Sequence, residues 1–144
     1  MSQTLYRIAY SILHNNPDCE DAVQDAILKA FTSIRSLRDV SLFKPWFIRI
    51  LKNECFSLLR KRKRLIPLDA LQEATETLSD VDIDLYNALN ALNPDMRLTV
   101  TLFYIERYTI DEITYILHVP AGTVKSRLAR GRETLREILG KEGE

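Results

Sequence analysis

Two clusters of side chains carry the chemistry this sequence offers, both rich in hydrogen-bond donors and one with an aromatic ring. Lys125, Ser126, Arg127, Ala129, Arg130 and Arg132 fall close together near the C-terminus, and Arg49, Lys52, Asn53, Phe56 and Arg60 recur at three- and four-residue spacing nearer the middle. Guanidinium, amide and hydroxyl groups read base edges, cations follow phosphates, and an exposed ring stacks on an unpaired base. Catalytic chemistry has no such set. There is no Gly-rich phosphate loop, no nucleophile–base pair and no metal-ligand spacing, so neither enzymatic activity nor a cofactor is expected. Cys19 and Cys55 lie far apart without a C-x-x-C pair, and His14 and His118 form no cluster. A zinc site or disulfide framework is therefore not expected, and a reducing cytosol is the default compartment.

The C-terminal cluster needs a helix to display it, and the sequence supplies one. Thr109 and Glu112 have the T-x-x-E spacing of a capping box, in which each side chain satisfies the other's free backbone N–H. The helix they open carries Ile113, Ile116 and Leu117 on one side and stops at the turn His118-Val119-Pro120. A second helix is predicted from about Ala121 to Leu139, with Val124, Leu128, Leu135, Ile138 and Leu139 on its apolar face. At about 100° per residue, Gly122, Ser126, Ala129, Arg130 and Glu133 point away from that face. Lys125, Arg132 and Arg136 line one flank and Arg127 the other. Small residues let the helix approach a groove floor, so the pair reads as a helix-turn-helix. An ordinary surface helix with a solvated charged face is the plainer alternative.

The chain has 144 residues, of which 46% are apolar, so a packed core is expected and global disorder is not. With 20 basic and 20 acidic residues the formal net charge is zero, which alone argues against a nucleic-acid partner. The charge is segregated, however. Residues 60–64 read Arg-Lys-Arg-Lys-Arg, whereas 65–95 hold acids and no Lys or Arg, a distribution that suits different partners for different segments. No apolar run approaches a bilayer-spanning length, and the N-terminus lacks a basic-then-apolar signal pattern, so a soluble cytoplasmic protein is expected.

From the N-terminus, Leu5, Ile8, Ala9, Ile12 and Leu13 mark a short amphipathic helix broken by Asn15-Asn16-Pro17-Asp18. A second helix to about Ile34 is expected to bury Ala22, Val23, Ala26, Ile27, Ala30 and Phe31. Its outer face is Asp21, Gln24, Asp25, Leu28 and Thr32. Acids near a helix start complement the macrodipole, while an exposed Leu28 ringed by acids suits docking onto a basic protein; both readings stand on the pattern. A third helix is expected from about Leu42, with Ser41 as cap, Pro45 in the first turn, and a core stripe of Phe43, Phe47, Ile50, Leu51 and Leu58. The opposite face presents Arg49, Lys52, Asn53, an exposed Phe56, Arg60 and Lys63. That stripe suits single-stranded nucleic acid, against the alternative that Trp46 and Phe56 are core and the cations merely a helix end. Residues 65–79 read as an acidic linker. Apolar spacing resumes at Val81, and Asn93-Pro94-Asp95 caps the helix that leads into the helix-turn-helix. The fold expected is all-α: two small helical modules, 1–64 and 80–144, on a flexible acidic tether.

In this order and spacing the segments resemble the bacterial RNA polymerase sigma factors of the extracytoplasmic-function (ECF) type. DCEDAVQDAILKAF (18–31) looks like region 2.2. FKPWFIRILKN (43–53) with LLRKRKR (58–64) looks like the promoter-melting and minus-ten-reading helix. GTVKSRLARGR (122–132) is similar to the region 4.2 recognition helix. The resemblance implies that Asp21, Gln24, Asp25 and Leu28 dock on the coiled coil of the largest polymerase subunit, with the flap region as a further contact. It implies that Arg49, Lys52, Asn53, Phe56 and Arg60 hold minus-ten bases, and that the loop Leu37 to Val40 cups a flipped base. Lys125, Ser126, Ala129 and Arg130 would read the minus-thirty-five element, with Arg127 and Arg132 on phosphates. An anti-sigma factor is an implied partner, and stress- or signal-dependent initiation the implied role.

The chain departs from the family pattern in places. The first helix begins abruptly, which is expected to leave part of its module's apolar face uncovered. Glu54 falls on the apolar side of its helix, Ser57 replaces an Asp, Arg107 replaces a Gly, and Pro120 stands where a capping Ser or Thr is common. Two rivals remain at this stage: a stand-alone helix-turn-helix regulator, and a shortened sigma-like protein that binds polymerase or an anti-sigma without initiating.

Overall fold

The computed structural model describes residues 2–65 and 83–142, so the stretch read as the acidic linker lies outside the described residues apart from Leu65. The described residues form helices joined by turns and short loops, with no strand among them. Helix α1 (Ser2–Leu13) is followed by α2 (Asn16–Ser33), whose start is fixed by Asn15: its Oδ1 accepts the Asp18 N–H at 2.9 Å, and Pro17 sits in the first turn. Two 3₁₀ turns, Ile34–Ser36 and Val40–Leu42, lead to α3 (Phe43–Leu65). The cap expected of Ser41 falls instead to Asp39, whose carboxylate accepts both the Ser41 N–H (3.0 Å) and its hydroxyl (2.7 Å). A short 3₁₀ turn before α3 moves the entry point two residues upstream.

The second half holds α4 (Ile83–Asn90), α5 (Pro94–Val100), α6 (Ile110–Leu117) and α7 (Ala121–Glu142). Asn93 caps α5 through the Met96 N–H at 2.9 Å, as its sequence suggested. Between α5 and α6 the chain widens into a π-helical turn, Thr101–Ile105, closed by Glu106 N–H to Thr101 C=O at 3.0 Å.

The two halves lie against one another and share one contiguous core. Ile8, Ala9, Tyr10, Ser11, Ile12 and Leu13 are all buried. A helix covered on one side hides only about every third or fourth residue, so six buried in succession require cover all round. Helices α2 and α3 cover α1 from the first half and α5 from the second, while α3 also packs on α6. Arg97 of α5, 6% exposed, crosses the boundary: its Nε donates to the Ser11 carbonyl and its Nη1 to that of Leu92 at 3.0 Å.

Two residues expected in the core are outside it. Ile27 is 49% and Phe31 81% exposed. Helix α2 meets its neighbours through a stripe of small residues, Cys19, Ala22, Ala26 and Ala30, all buried. This narrow contact stripe faces the core and leaves the bulky chains on the adjoining flank, where Ile34 and Leu28 are also exposed. The core also claims Ile48, Trp46 and Cys55 beyond the predicted stripe of α3.

Close approach explains one glycine. A Cβ on Gly131 of α7 would lie 2.6 Å from Val100 Cγ2, whereas one on Gly122 would meet nothing within 4 Å. Gly131→Ala should therefore destabilise the fold by about 1–3 kcal/mol through overpacking against a stiff, buried valine. Gly122→Ala should be neutral or stabilise by up to about 1 kcal/mol. Chemical denaturation of the two variants reads the difference directly.

Candidate nucleic-acid interface

The capping box that opens α6 is present in both directions: Thr109 Oγ1 accepts the Glu112 N–H at 3.1 Å, and Glu112 Oε1 accepts the Thr109 N–H at 2.9 Å. Helix α6 ends at His118, which takes the left-handed conformation (φ 56°) and donates its N–H to Thr114 C=O at 2.8 Å. Val119 and Pro120 complete the turn, and buried Val124 and Leu128 anchor α7. That geometry turns Lys125, Ser126, Ala129, Arg130 and Arg132 to solvent, with Arg127 half-buried. A groove lined by Asn93, Asp95 and Met96 on one side and Thr123, Ser126, Arg127 and Arg130 on the other runs beside the helix. Arg132, expected on phosphates, donates from Nη1 to the Tyr104 hydroxyl at 3.0 Å.

The α3 cluster is less open than its sequence suggested. Asn53 and Arg60 are exposed. The Arg49 guanidinium lies 5.5 Å from the centroid of the Tyr115 ring on α6. Lys52 is half-buried, and desolvation, followed by the Arg49 charge, lowers its pKa. Phe56, expected as an exposed ring, is partly buried and packs against the core. In the loop before α3, Leu37 is half-buried and Val40 is 82% exposed.

Asp21, Gln24, Asp25 and Leu28 are all exposed on α2, Leu28 by 65%. Asp21, Gln24 and Asp25 border a groove completed by Glu54, Ser57, Leu58 and Lys61 of α3. Glu54 tolerates the inward side of α3 because Lys29 reaches over from α2 to pair with it, and that hydrogen bond and charge raise the Lys29 pKa.

Sequence reasoning missed an apolar groove in the second half. Leu85, Leu89, Val100, Tyr104, Ile105 and Leu135 line it, with Arg132 and Arg136 among its walls. The π-helical turn brings Tyr104 and Ile105 outward, and such a turn has no compositional signature. The one hint was Arg107 in place of glycine: its φ is 61°, so the position does call for the left-handed conformation. Among the described residues, no group of His, Cys, Asp and Glu is placed to hold a metal ion, and no helix is long and apolar enough to cross a membrane.

A helix-turn-helix with an exposed donor face, packed against a second helical unit with its own strip of cations and amide, is the arrangement of a two-part nucleic-acid-binding protein. Comparison with known proteins agrees. Residues 1–65 match Sigma-70 region 2 and residues 82–135 match Sigma-70, region 4. The chain is 34% identical over 146 residues to RNA polymerase sigma factor SigV of Bacillus subtilis, covering 97% of this chain and 87% of that protein. It is 32% identical over 154 residues to the ECF RNA polymerase sigma factor SigW of the same organism, covering 94% and 82%. Among solved structures, sigma factor RpoE in complex with the anti-sigma factor NepR from Bartonella quintana superposes with a TM-score of 0.81 at 31% identity, over 94% of this chain and 89% of that one. CnrH, solved with the cytosolic domain of CnrY, shares the fold at a TM-score of 0.70 and 22% identity, over 97% and 82%. The chain belongs to the ECF RNA polymerase sigma factors.

His14, at the corner between α1 and α2, supplies a pH test of this arrangement. Burial, then the charges of Arg97 and Arg62, lower its pKa from 6.5 to about 4. Folded His14 is thus neutral where the unfolded chain begins to take up a proton. The associated stability is intact above pH 6.5 and lost as pH falls towards 4, at a cost on the order of 2–3 kcal/mol. His14→Asn, which keeps a residue tolerant of positive φ, should flatten the pH dependence of denaturation midpoints across that window.

Proposed function

We propose that the chain is the promoter-recognition subunit of a transcription initiation complex, acting in the cytoplasm, with residues 1–64 and 80–144 as its two working modules. Bound to core RNA polymerase, it directs initiation at promoters of its own class, and its availability is set by an anti-sigma factor in response to a signal. The observation that carries this reading is the presence, in one ECF-family chain, of an exposed recognition face on α7 and a second cationic strip on α3. A duplex-binding regulator has no use for the second.

The division of labour follows from chemistry. Lys125, Ser126, Ala129 and Arg130 meet base edges of the minus-thirty-five duplex in the major groove, and Arg127 and Arg132 approach phosphates. For Arg132 this means exchanging its bond with Tyr104. Arg49, Lys52, Asn53, Phe56 and Arg60 hold the single strand of the opened minus-ten element, and Leu37 to Val40 receives an unstacked base. Binding to extruded bases offsets roughly a few kcal/mol of unstacking at each step, so strand separation needs no covalent chemistry from this subunit. Polymerase supplies the catalysis. Asp21, Gln24, Asp25 and Leu28 present acids around an apolar residue, which suits the basic coiled coil of the largest polymerase subunit. The apolar groove around Tyr104 and Ile105 suits a helix of the flap region.

Run-off transcription with purified core polymerase on a genomic promoter pool tests the whole assignment. Discrete transcripts that depend on this protein are expected. Tight core binding without transcripts would make it a sequestering protein, and duplex binding without core binding a stand-alone regulator. On a promoter so obtained, Arg130→Ala should cost about 1–3 kcal/mol and relax the preference at one base pair. Equal loss on every sequence would make Arg130 a phosphate contact.

A further inference from the structure

Helix α2 leaves one flank uncovered, and its charge runs in order along that flank. At about 100° per residue, Glu20, Gln24, Ile27, Leu28, Phe31 and Ile34 fall on one side, and Arg35 continues the line in the 3₁₀ turn that follows. The stripe begins acidic, is apolar through its middle and ends basic. Phe31 is 81% and Leu28 65% exposed, and Ile27 and Ile34 are exposed beside them. Glu20 and Arg35 face solvent too, and neither forms an ion pair among the described residues. Four adjoining large apolar side chains mark an interaction surface, unlike single exposed residues scattered over a protein. The charges say what fits it. A uniformly basic partner satisfies Glu20 but meets Arg35, and a uniformly acidic one does the reverse. The complement is a helix whose charge runs the other way, which α2 itself supplies when turned end for end.

We propose that this flank of α2 binds a second copy of the chain, the two helices pairing antiparallel about a twofold axis between residues 27 and 28. An isologous contact makes every pairing twice. In that register Ile27 meets Leu28 of the second copy, Gln24 meets its Phe31 and Glu20 meets its Arg35, with the same three pairs in reverse. Glu20 and Arg35 are separated by about 22 Å of helix at 1.5 Å per residue, so both ion pairs close around one apolar centre. A single helix pair lies at the low end of interface size, which puts the dimer dissociation constant at about ten to a hundred micromolar. Gln24 and Leu28 are also given to the polymerase under Proposed function, so on that reading a second copy and core polymerase exclude one another. Self-association itself does not depend on that reading.

Sedimentation velocity of the full chain from about 1 to 500 μM, at low ionic strength, reads the association. A concentration-dependent shift from monomer to dimer is expected. Phe31→Ser should remove it while leaving the thermal melt as in the wild type, because the ring is exposed. Charge inversion tests the register. Glu20→Arg alone sets arginine against arginine, and Arg35→Glu alone sets glutamate against glutamate, so each should raise the dimer dissociation constant about tenfold. Mixed in equal amounts, the two variants form both ion pairs between unlike chains, and the wild-type affinity should return. Adding Phe31→Ser to both should abolish that heterodimer. A chain that stays monomeric throughout, a mixture no tighter than its components, or a heterodimer indifferent to Phe31→Ser would overturn the proposal. Core polymerase titrated into the dimer keeps the two claims apart. Release of monomer into the polymerase complex supports both. A complex that retains the dimer leaves self-association standing and removes Gln24 and Leu28 from the polymerase contact. Polymerase binding by a chain that never dimerises leaves that contact standing and self-association refuted.

Discussion

Two arginines from distant parts of the chain close the C-terminal end of α1, and the remaining structure is arranged around that closure. The last carbonyls of a helix have no partner within it and carry the negative end of its dipole. Here Arg97 of α5 donates to Ser11 and Arg62 of α3 donates to Leu13 at 3.1 Å. Arg62 also pairs with Asp18 at 3.0 Å, in the first turn of α2. One carbonyl row thus ties the N-terminal helix to the next two helices of its own half and to the first buried helix of the other. Removing Arg97 would strip the Ser11 carbonyl of the donor that comes from the other half, so this contact helps to hold the two halves at their boundary.

Much of this was legible in the sequence where a local rule applied. The capping box at Thr109, the Asn93 cap before Pro94, the corner at Asn15 to Asp18 and the solvent face of α7 are each fixed by residues within a few positions of one another. The misses are tertiary. Ile27 and Phe31 satisfy helical periodicity as well as Ala26 and Ala30 do, but only the alanines allow close packing, and no periodicity encodes which neighbour a helix meets. The Phe56 ring was placed outward for the same reason: its face of α3 is polar by composition, yet the ring packs against the core. Glu54 shows the converse. A carboxylate on an apolar stripe looked like a defect until Lys29 of α2 was found beside it.

Arg97 shows how such a cation escapes notice. It is the first basic residue after a stretch of acids and could be taken for a solvated charge on a short helix. Its 6% exposure makes it one of the few charged side chains in the core. Burying a guanidinium is costly unless its donors are met, and two backbone carbonyls from different halves meet two of them. An apolar residue there would forfeit those bonds and leave the carbonyls without them. The position therefore links the local cap of one helix to the docking of two units, which no reading of either module alone could anticipate.

The backbone carries the same logic. His14, Arg107 and His118 all adopt positive φ, at 61°, 61° and 56°, although none is glycine. Each such residue costs roughly 1–2 kcal/mol against a relaxed conformation, so something in the folded state must offset it. His118 ends α6 with a bond to Thr114, a local return. His14 ends α1 in the same way, its N–H donating to Tyr10 C=O at 3.0 Å, and follows Leu13, whose carbonyl Arg62 of the same half holds. Arg107 lies beside the boundary between the halves, following Glu106, which Arg7 holds. Strain at Arg107 is thus balanced in part by a contact that exists only when the two halves are docked. The Arg107 corner and the docking therefore support one another, so a conformation that separates the halves also loosens the chain where it leaves the π-helical turn.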